Sequence, residues 1–337
     1  DVQFGHGRHF VGNGYRSLVL SDFSNNYLFL RVNTQVWKLQ YTNLFAQMTA
    51  DIIGNQTGLY GTLPFPRKYL ALHRLGMNIT PRLQLGVFES ITYGDADGRF
   101  DLNYLNPIIF YRAIEQQGGS VGNALLGLDL RWIPLKGVSL YAQGLIDEFV
   151  ISEMRSGENW WGNKYALQLG AEYANAAGIA NLDLQVEYNR VRPYTYAHQD
   201  LFRSYTHYEQ PLAHPLGANF EEVIGIARYQ PLPRLQLQAK LIGATYGSDT
   251  LNSNWGQNLL LDNATREREY GNVLGQGVSN QLFIADLTAS YQLWHNLFAE
   301  VRYLYRRREN ALQPEADVTN YTSLGIRWNI RQRHFDF

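Results

Sequence analysis

The chain has 337 residues, a formal net charge of −1 and no cysteine. A pI of about 6.8 and the lack of any Lys/Arg block argue against a nucleic-acid partner, and the missing cysteines exclude disulfides and thiolate metal sites. Mean hydropathy is −0.31, and no apolar run is long enough for a membrane-spanning helix.

The N-terminal stretch carries Gly5, Gly7, Gly12 and Gly14. No helix start and no Lys-Ser/Thr pair follows them, so they are read as points of tight backbone approach, not as a phosphate cradle. Asp1 reads as an internal or mature start, with any export signal removed or outside the sequence.

Further along, six short turns are predicted. They lie near Thr34-Gln35, Thr80-Pro81-Arg82, Pro134 to Gly137, Ala177-Gly178, Pro231 to Arg234 and Trp294-His295-Asn296. The flanking segments alternate apolar and polar residues, which is the period of a strand with two different faces. Leu126, Leu128, Leu130 and Trp132 oppose Asp129 and Arg131; Leu182, Leu184, Val186 and Tyr188 oppose Asp183, Gln185, Glu187 and Asn189. Later, Leu235, Leu237, Ala239 and Leu241 oppose Gln236, Gln238 and Lys240, and Leu297, Ala299, Val301, Tyr303 and Tyr305 oppose Glu300, Arg302 and Arg306. Pro81-Arg82-Leu83-Gln84-Leu85 returns as Pro233-Arg234-Leu235-Gln236-Leu237, each copy opening a strand after a turn.

A soluble sandwich would show the same alternation. Three features favour a membrane barrel instead: unpaired charges along the polar faces, strongly unequal loop lengths, and aromatics near strand ends, where a half-apolar ring suits a membrane interface. The fold predicted for 1–337 is one all-β domain, an antiparallel transmembrane β-barrel of about 14 to 18 strands with short periplasmic turns and long extracellular loops. About thirteen strands are visible up to a last one at Tyr321–Arg331, and closure needs an even number, so a further strand is expected in the first twenty-odd residues or, the favoured option, in sequence ahead of Asp1. The terminal Phe337 is out of phase with Leu324, Ile326, Trp328 and Ile330, which predicts a bulge or an unpaired tail.

The stretch Gly12-Asn13-Gly14-Tyr15-Arg16-Ser17-Leu18-Val19-Leu20-Ser21-Asp22 resembles the core of Wzi capsule-assembly proteins, more closely the Bacteroidetes branch that includes the gliding-motility protein RemB. Tyr104 to Arg112 and Glu187 to Tyr196 are similar to the same relatives. Enterobacterial members carry Trp-Gly-Pro-Gly where this chain has Phe10-Val11-Gly12-Asn13-Gly14. The resemblance implies an integral outer-membrane protein of a Gram-negative bacterium that holds or handles surface polysaccharide, without a known catalytic step.

Candidate sites fall into two groups. In the long loops, aromatics lie among hydrogen-bonding groups, the chemistry a sugar requires: Trp160, Trp161, Arg192, Tyr194, Tyr196, His198, Arg203, Tyr205, His207 and Trp255. Along the polar strand faces, Asp129, Arg131, Glu172, Glu187, Arg302, Arg306 and Arg327 should line the lumen and pair across it, as a stiffening network more than as an ion-selective ring. Tyr104 to Arg112, which contains Pro107, is predicted to fold inward.

Other motifs are turned down. Gly118-Gly119-Ser120-Val121-Gly122 fits a nucleophile elbow only in form, because a barrel strand and not a helix follows it. His198, His207 and His214 lack metal-site spacing, and no cofactor is implied. The expected activity is therefore non-enzymatic binding or anchoring of polysaccharide, in which many weak contacts act together on a repeating polymer. Expected partners are outer-membrane lipid, surface polysaccharide and other outer-membrane or surface-export proteins. The alternative is a passive diffusion channel; an outer-membrane hydrolase would need a Ser, His and acid at one height, which the sequence does not offer.

Overall fold

A computed structural model describes residues 1–50, 66–94, 100–105 and 122–329. Fourteen of its strands form one antiparallel sheet whose spatial order is the chain order. They begin with β1 (Val2–Gly7), β2 (Tyr27–Val36), β3 (Leu39–Thr49), β4 (Arg67–Thr80), β5 (Leu83–Tyr93), β6 (Gly122–Leu135) and β7 (Val138–Glu148). A short helix α1 (Ile151–Ser156) follows, then β8 (Lys164–Tyr173) and β9 (Leu182–Val191). A separate two-stranded ribbon, β10 (Thr206–His207) with β11 (Gln210–Pro211), sits in the next excursion. The wall resumes with β12 (Phe220–Leu232), β13 (Leu235–Ser248), β14 (Val278–Trp294), β15 (Leu297–Asn310) and β16 (Asp317–Trp328). Among the described residues β1 pairs with β2 and β16 with β15, so these two are the edges of the described sheet.

Exposure separates the barrel wall from a soluble sandwich. The apolar rows are the exposed ones: Leu128 is 62% exposed, Leu324 80% and Ile326 74%, while Asp129 is 2% and Glu187 1% exposed. Water would bury the first set; a wall with hydrocarbon outside exposes it and turns the polar set inward. Trp132, Trp294 and Trp328 stand at the short-turn ends of β6, β14 and β16, forming the expected rim of interfacial rings.

The short turns are where the pattern placed them, with one shift. Thr34 and Gln35 lie inside β2, paired with Tyr41 and Gln40, and the turn is Trp37-Lys38. Two-residue hairpin turns need positive φ, supplied elsewhere by residues such as Asn296 (φ 62°), but here by Trp37 at φ 54°. A tryptophan gives no turn signal, so the polar pair upstream was the misleading cue. The repeated pentapeptides behave alike: the Arg82 carbonyl accepts from the Ile133 amide and the Arg234 carbonyl from the Gln292 amide, both at 2.8 Å. Each turn is thereby tied to the following hairpin.

β1 supplies a further strand within the first twenty-odd residues, the less favoured of the two expected placements. The last strand runs Asp317–Trp328, earlier than expected, with Leu324, Ile326 and Trp328 on its outer face; Ile330 and Phe335 to Phe337 lie outside the described residues. The inward fold expected for Tyr104 to Arg112 is corrected where it is described. Tyr104 is buried and stacks on Tyr93 at 4.1 Å, and Phe100 packs edge-on against Tyr69 at 5.0 Å. Tyr69 and Tyr93 have the parity opposite to Lys68 and Thr92, whose side chains bond loop atoms inside the lumen. Residues 100–105 therefore cover the outside of the wall, because the outward rings of β4 and β5 offer them an apolar seat. Residues 106–112 and 118–121 lie outside the described residues.

Inside the wall, residues 8–26 fold into the lumen between β1 and β2 as a plug. A bridge joins Val11 to Leu20, and the Ser17 hydroxyl, donating to the Val11 carbonyl at 2.5 Å, accepts from the Val19 and Leu20 amides. Leu18, Val19 and Leu20 are fully buried against lumen-facing Leu44, Leu70, Leu72, Phe88, Leu125 and Leu145. The extracellular half of the lumen is consequently apolar, which explains why Tyr69-Leu70-Ala71-Leu72 shows no alternation.

Candidate functional site

The plug, the motif-bearing stretch Gly12 to Asp22, is held by the lumen charges. Glu187 accepts the Tyr15 amide at 2.6 Å, the Arg16 amide at 3.0 Å, the Tyr141 hydroxyl at 2.8 Å and the Asn189 amide group at 2.8 Å. A side chain at Gly14 would run into Glu187 and Gln168, so a glycine is required for this approach. Arg16 pairs with Glu222 at 3.1 Å, and Glu222 also meets His214 Nε2 at 2.7 Å. The Leu18 amide donates to Gln143 Oε1 at 2.7 Å.

The other lumen charges pair between nearby strands instead of across the barrel, a correction to the expected span. Arg74 on β4 makes a two-point contact with Asp129 on β6, passing over β5 at Gly86, where a Cβ would block it. Arg302 grips Asp286 at 2.7 and 2.9 Å, Arg327 meets Glu300 at 2.8 Å, and Arg306 meets Asp317 at 3.4 Å. Arg131 donates to Ser139 at 3.2 Å, and Glu172 stands in register between Ser139 and Gln185. Opposite charges on adjacent strands are close enough to bond directly, whereas the plug occupies the space between facing walls.

Above the plug, residues 149–163, 192–219 and 249–277 interlock as a cap. The Trp161 amide donates to the Glu269 carbonyl, the Gly271 amide to the Glu158 carbonyl and the Asn272 amide to the Asn159 carbonyl, all within 3.0 Å. Buried Lys68 donates to the Ser204 carbonyl and Thr206 hydroxyl, and buried Lys164 donates to the Ala197 carbonyl and pairs with Glu148. Each ammonium thus anchors the cap to the wall.

Four of the aromatic candidates for sugar binding are interior residues. Tyr194, Tyr196 and Tyr205 are 0% exposed and His207 2%. Tyr194 donates to the Asn254 carbonyl, Tyr196 to the Leu18 carbonyl, and Tyr205 shares a hydrogen bond with Ser90. His207 accepts from the Thr49 amide and lies 3.1 Å from the Asn26 carbonyl. A phenol reaching a buried carbonyl and a phenol reaching a sugar look the same in sequence; burial distinguishes them. Burial also pushes the Tyr196 hydroxyl well above its usual range, keeping it a neutral donor.

The remaining loop candidates are partly exposed: Trp160, Trp161, Arg192, His198, Arg203 and Trp255. Arg266 lies over the Trp161 ring at 4.1 Å and Lys164 at 5.0 Å, so this indole is engaged in cation–π contacts. Arg268 lies over Trp255 at 5.2 Å, and Arg192 donates weakly to the Trp160 and Asn272 carbonyls at 3.4 Å. His198 accepts from the Asp200 amide, Arg203 pairs with Asp200 at 3.2 Å, and burial lowers the His198 pKa. Arg266, Arg268 and exposed Tyr270 were missed as candidates; the alternating Arg266-Glu267-Arg268-Glu269-Tyr270 run was the available signal. Among the described residues no cluster of His, Asp and Glu is arranged to hold a metal.

Comparison with known proteins agrees with this architecture. An Escherichia coli structure described as Wzi, an outer-membrane carbohydrate-binding β-barrel involved in group 1 capsule assembly, superposes with a TM-score of 0.64 at 17% identity. The alignment covers 96% of this chain and 66% of that one, so the chain spans just under two thirds of its length. Pseudomonas aeruginosa OccD3 aligns at 12% identity and TM-score 0.48, covering 98% of this chain and 75% of the other. No curated protein sequence matches. The profile of the capsule assembly protein Wzi family matches residues 1–331. The chain therefore belongs to the Wzi capsule assembly family and is an integral outer-membrane β-barrel.

Proposed function

We propose that this barrel binds or anchors surface polysaccharide, as capsule or exopolysaccharide, through the outer face of its cap. The observation that carries this reading is the contrast between a filled interior and the groups above it. Residues 8–26 occupy the lumen, while Trp160, Arg192, Trp255 and Arg268 stand at the surface of a cross-linked cap. Indole faces suit the C–H face of a sugar and guanidinia suit its hydroxyls or carboxylates. Membership of the Wzi family, and the carbohydrate binding described for the E. coli structure, support the same substrate class. Each contact is weak, but a repeating polymer engaging several sites gains through effective concentration. The barrel would act without a chemical step, alongside other outer-membrane or surface-export proteins, of which a gliding assembly is one case.

Co-sedimentation of the purified barrel with the organism's own polysaccharide, paired with a glycan array, tests the reading. Retention that falls in a Trp160→Ala variant is the expected result. No retention, together with unaltered capsule in a deletion strain, would overturn it. The diffusion-channel alternative predicts steady conductance in planar bilayers, whereas a plugged lumen predicts none.

A further inference from the structure

On the short-turn side of the plug, the lumen keeps a cavity of about 380 Å³. That volume lies in the range of roughly 300–1,000 Å³ usual for small-ligand sites. Gln40 and Gln84 in its lining stand just beyond the Trp37-Lys38 and Pro81-Arg82 turns, and Leu44 and Leu72 also line it, so the cavity runs from the apolar seat of the plug toward the periplasmic rim.

Three guanidinia line it, from Arg8, Arg31 and Arg74. Among the described residues only one is paired with a carboxylate: Arg74 binds Asp129 through Nε at 2.8 Å and Nη2 at 2.5 Å. Arg8 donates to the Asp22 carbonyl at 2.8 Å and Arg31 to Asn33 Oδ1 at 3.3 Å, both uncharged oxygens. Every guanidinium has five N–H donors, so most of those on Arg8 and Arg31 are not used in these bonds. The lining also includes Asn13 and His9, whose Nδ2 and Nδ1 atoms are buried without a hydrogen-bond partner among the described residues. Arg8 is exposed and Arg31 half-buried, and two guanidinia with no carboxylate partner among the described residues give the cleft a positive potential.

We propose that this vestibule binds an acidic sugar, its carboxylate held by Arg8 and Arg31 and its hydroxyls by Gln40, Thr42, Gln84 and Asn13. Guanidinium and carboxylate match in a planar two-point geometry, and the amide and hydroxyl groups supply donors and acceptors at the height of the ring. The site is separate from the outer face of the cap, with the plug between them.

Isothermal titration of the purified barrel in detergent with digalacturonate tests this. Saturable binding is expected, weakened by about tenfold or more in Arg8→Gln and Arg31→Gln and partly retained in Arg31→Lys. Heat-modifiable migration on gels checks that each variant remains a folded barrel. Any component of binding lost in Trp160→Ala belongs to the outer face, whereas the component lost in Arg8→Gln and Arg31→Gln belongs to the vestibule. No saturable binding, parental affinity in both Gln variants, or loss in Trp160→Ala alone overturns the proposal. Cellobiose or inorganic phosphate binding as tightly as digalacturonate overturns the acidic-sugar assignment.

Discussion

The Tyr196 hydroxyl donates to the Leu18 carbonyl at 2.6 Å, with both residues fully buried, so the cap is bonded directly to the plug. Tyr196 holds φ at 74°, a conformation costly for an aromatic residue and sustained by its fixed surroundings, which include the Asp147 carboxylate accepting its amide at 2.7 Å. Tyr196→Phe should leave the Leu18 carbonyl without this donor at a cost of about 1–3 kcal/mol. Faster hydrogen exchange across residues 8–26, with exchange in the wall unchanged, is the expected readout.

Gly14→Ala places a methyl group against Glu187 and Gln168. Displacing the plug or those side chains should cost about 1–3 kcal/mol, as overpacking does. Planar-bilayer recordings on this variant should show openings that the parent lacks; a silent variant with parental thermal stability would contradict the tight fit.

Acid should loosen the plug. His9 is lowered to about 4, first by burial and then by the charge of Arg31, and His214 is lowered by burial, partly opposed by Glu222. His214 faces Glu222, Arg16 and the Phe220 ring; His9 packs on Tyr27 and Phe29 near Arg31. Both folded-state values lie below the ordinary 6.5, so the unfolded segment binds more protons in this window. Stability is full above about pH 6.5 and declines as pH falls toward 4. Exchange protection of residues 8–26 measured at pH 7.5 and 4.5 should drop at the lower value, and His9→Gln should reduce the drop.

Removing the ammonium of Lys164 should affect the cap before the wall. Lys164→Met loses the donor to the Ala197 carbonyl, the pairing with Glu148 and the contact over Trp161. A loss of about 1–3 kcal/mol is expected, because a buried acceptor is left unmet. Limited proteolysis should cut within 192–219 sooner than in the parent, while the barrel band on gels persists.

The edges of the described sheet also make a prediction. Unpaired strand groups in hydrocarbon cost several kcal/mol each, so in the membrane the outer edges of β1 and β16 should be covered. Hydrogen exchange of the lipid-embedded protein should find their amides protected; rapid exchange there would show an open seam.

The wall was legible because its signal is local. A strand turns successive side chains to opposite faces, so Leu235 to Leu241 and Leu297 to Tyr305 declare their outer rows without reference to the rest of the fold. The lumen charges followed from the same parity, although Asp129 and Arg302 bond neighbours along the wall and not across it. Trp37 hid its turn because an indole in the left-handed region has no sequence signature. Parity and Pro107 point Tyr104 to the lumen, yet the outward rings of Tyr69 and Tyr93 hold Phe100 and Tyr104 on the outside of the wall.

The sequence by itself determined the alternating wall, its short-turn rim and the polar groups facing inward, since each depends on neighbours one or two residues away. Only the tertiary structure decided which loop aromatics meet solvent. Tyr196 and Trp160 belong to equally polar, equally aromatic segments, but Tyr196 is buried by a carbonyl 178 residues earlier in the chain, and no local pattern encodes a contact over that separation.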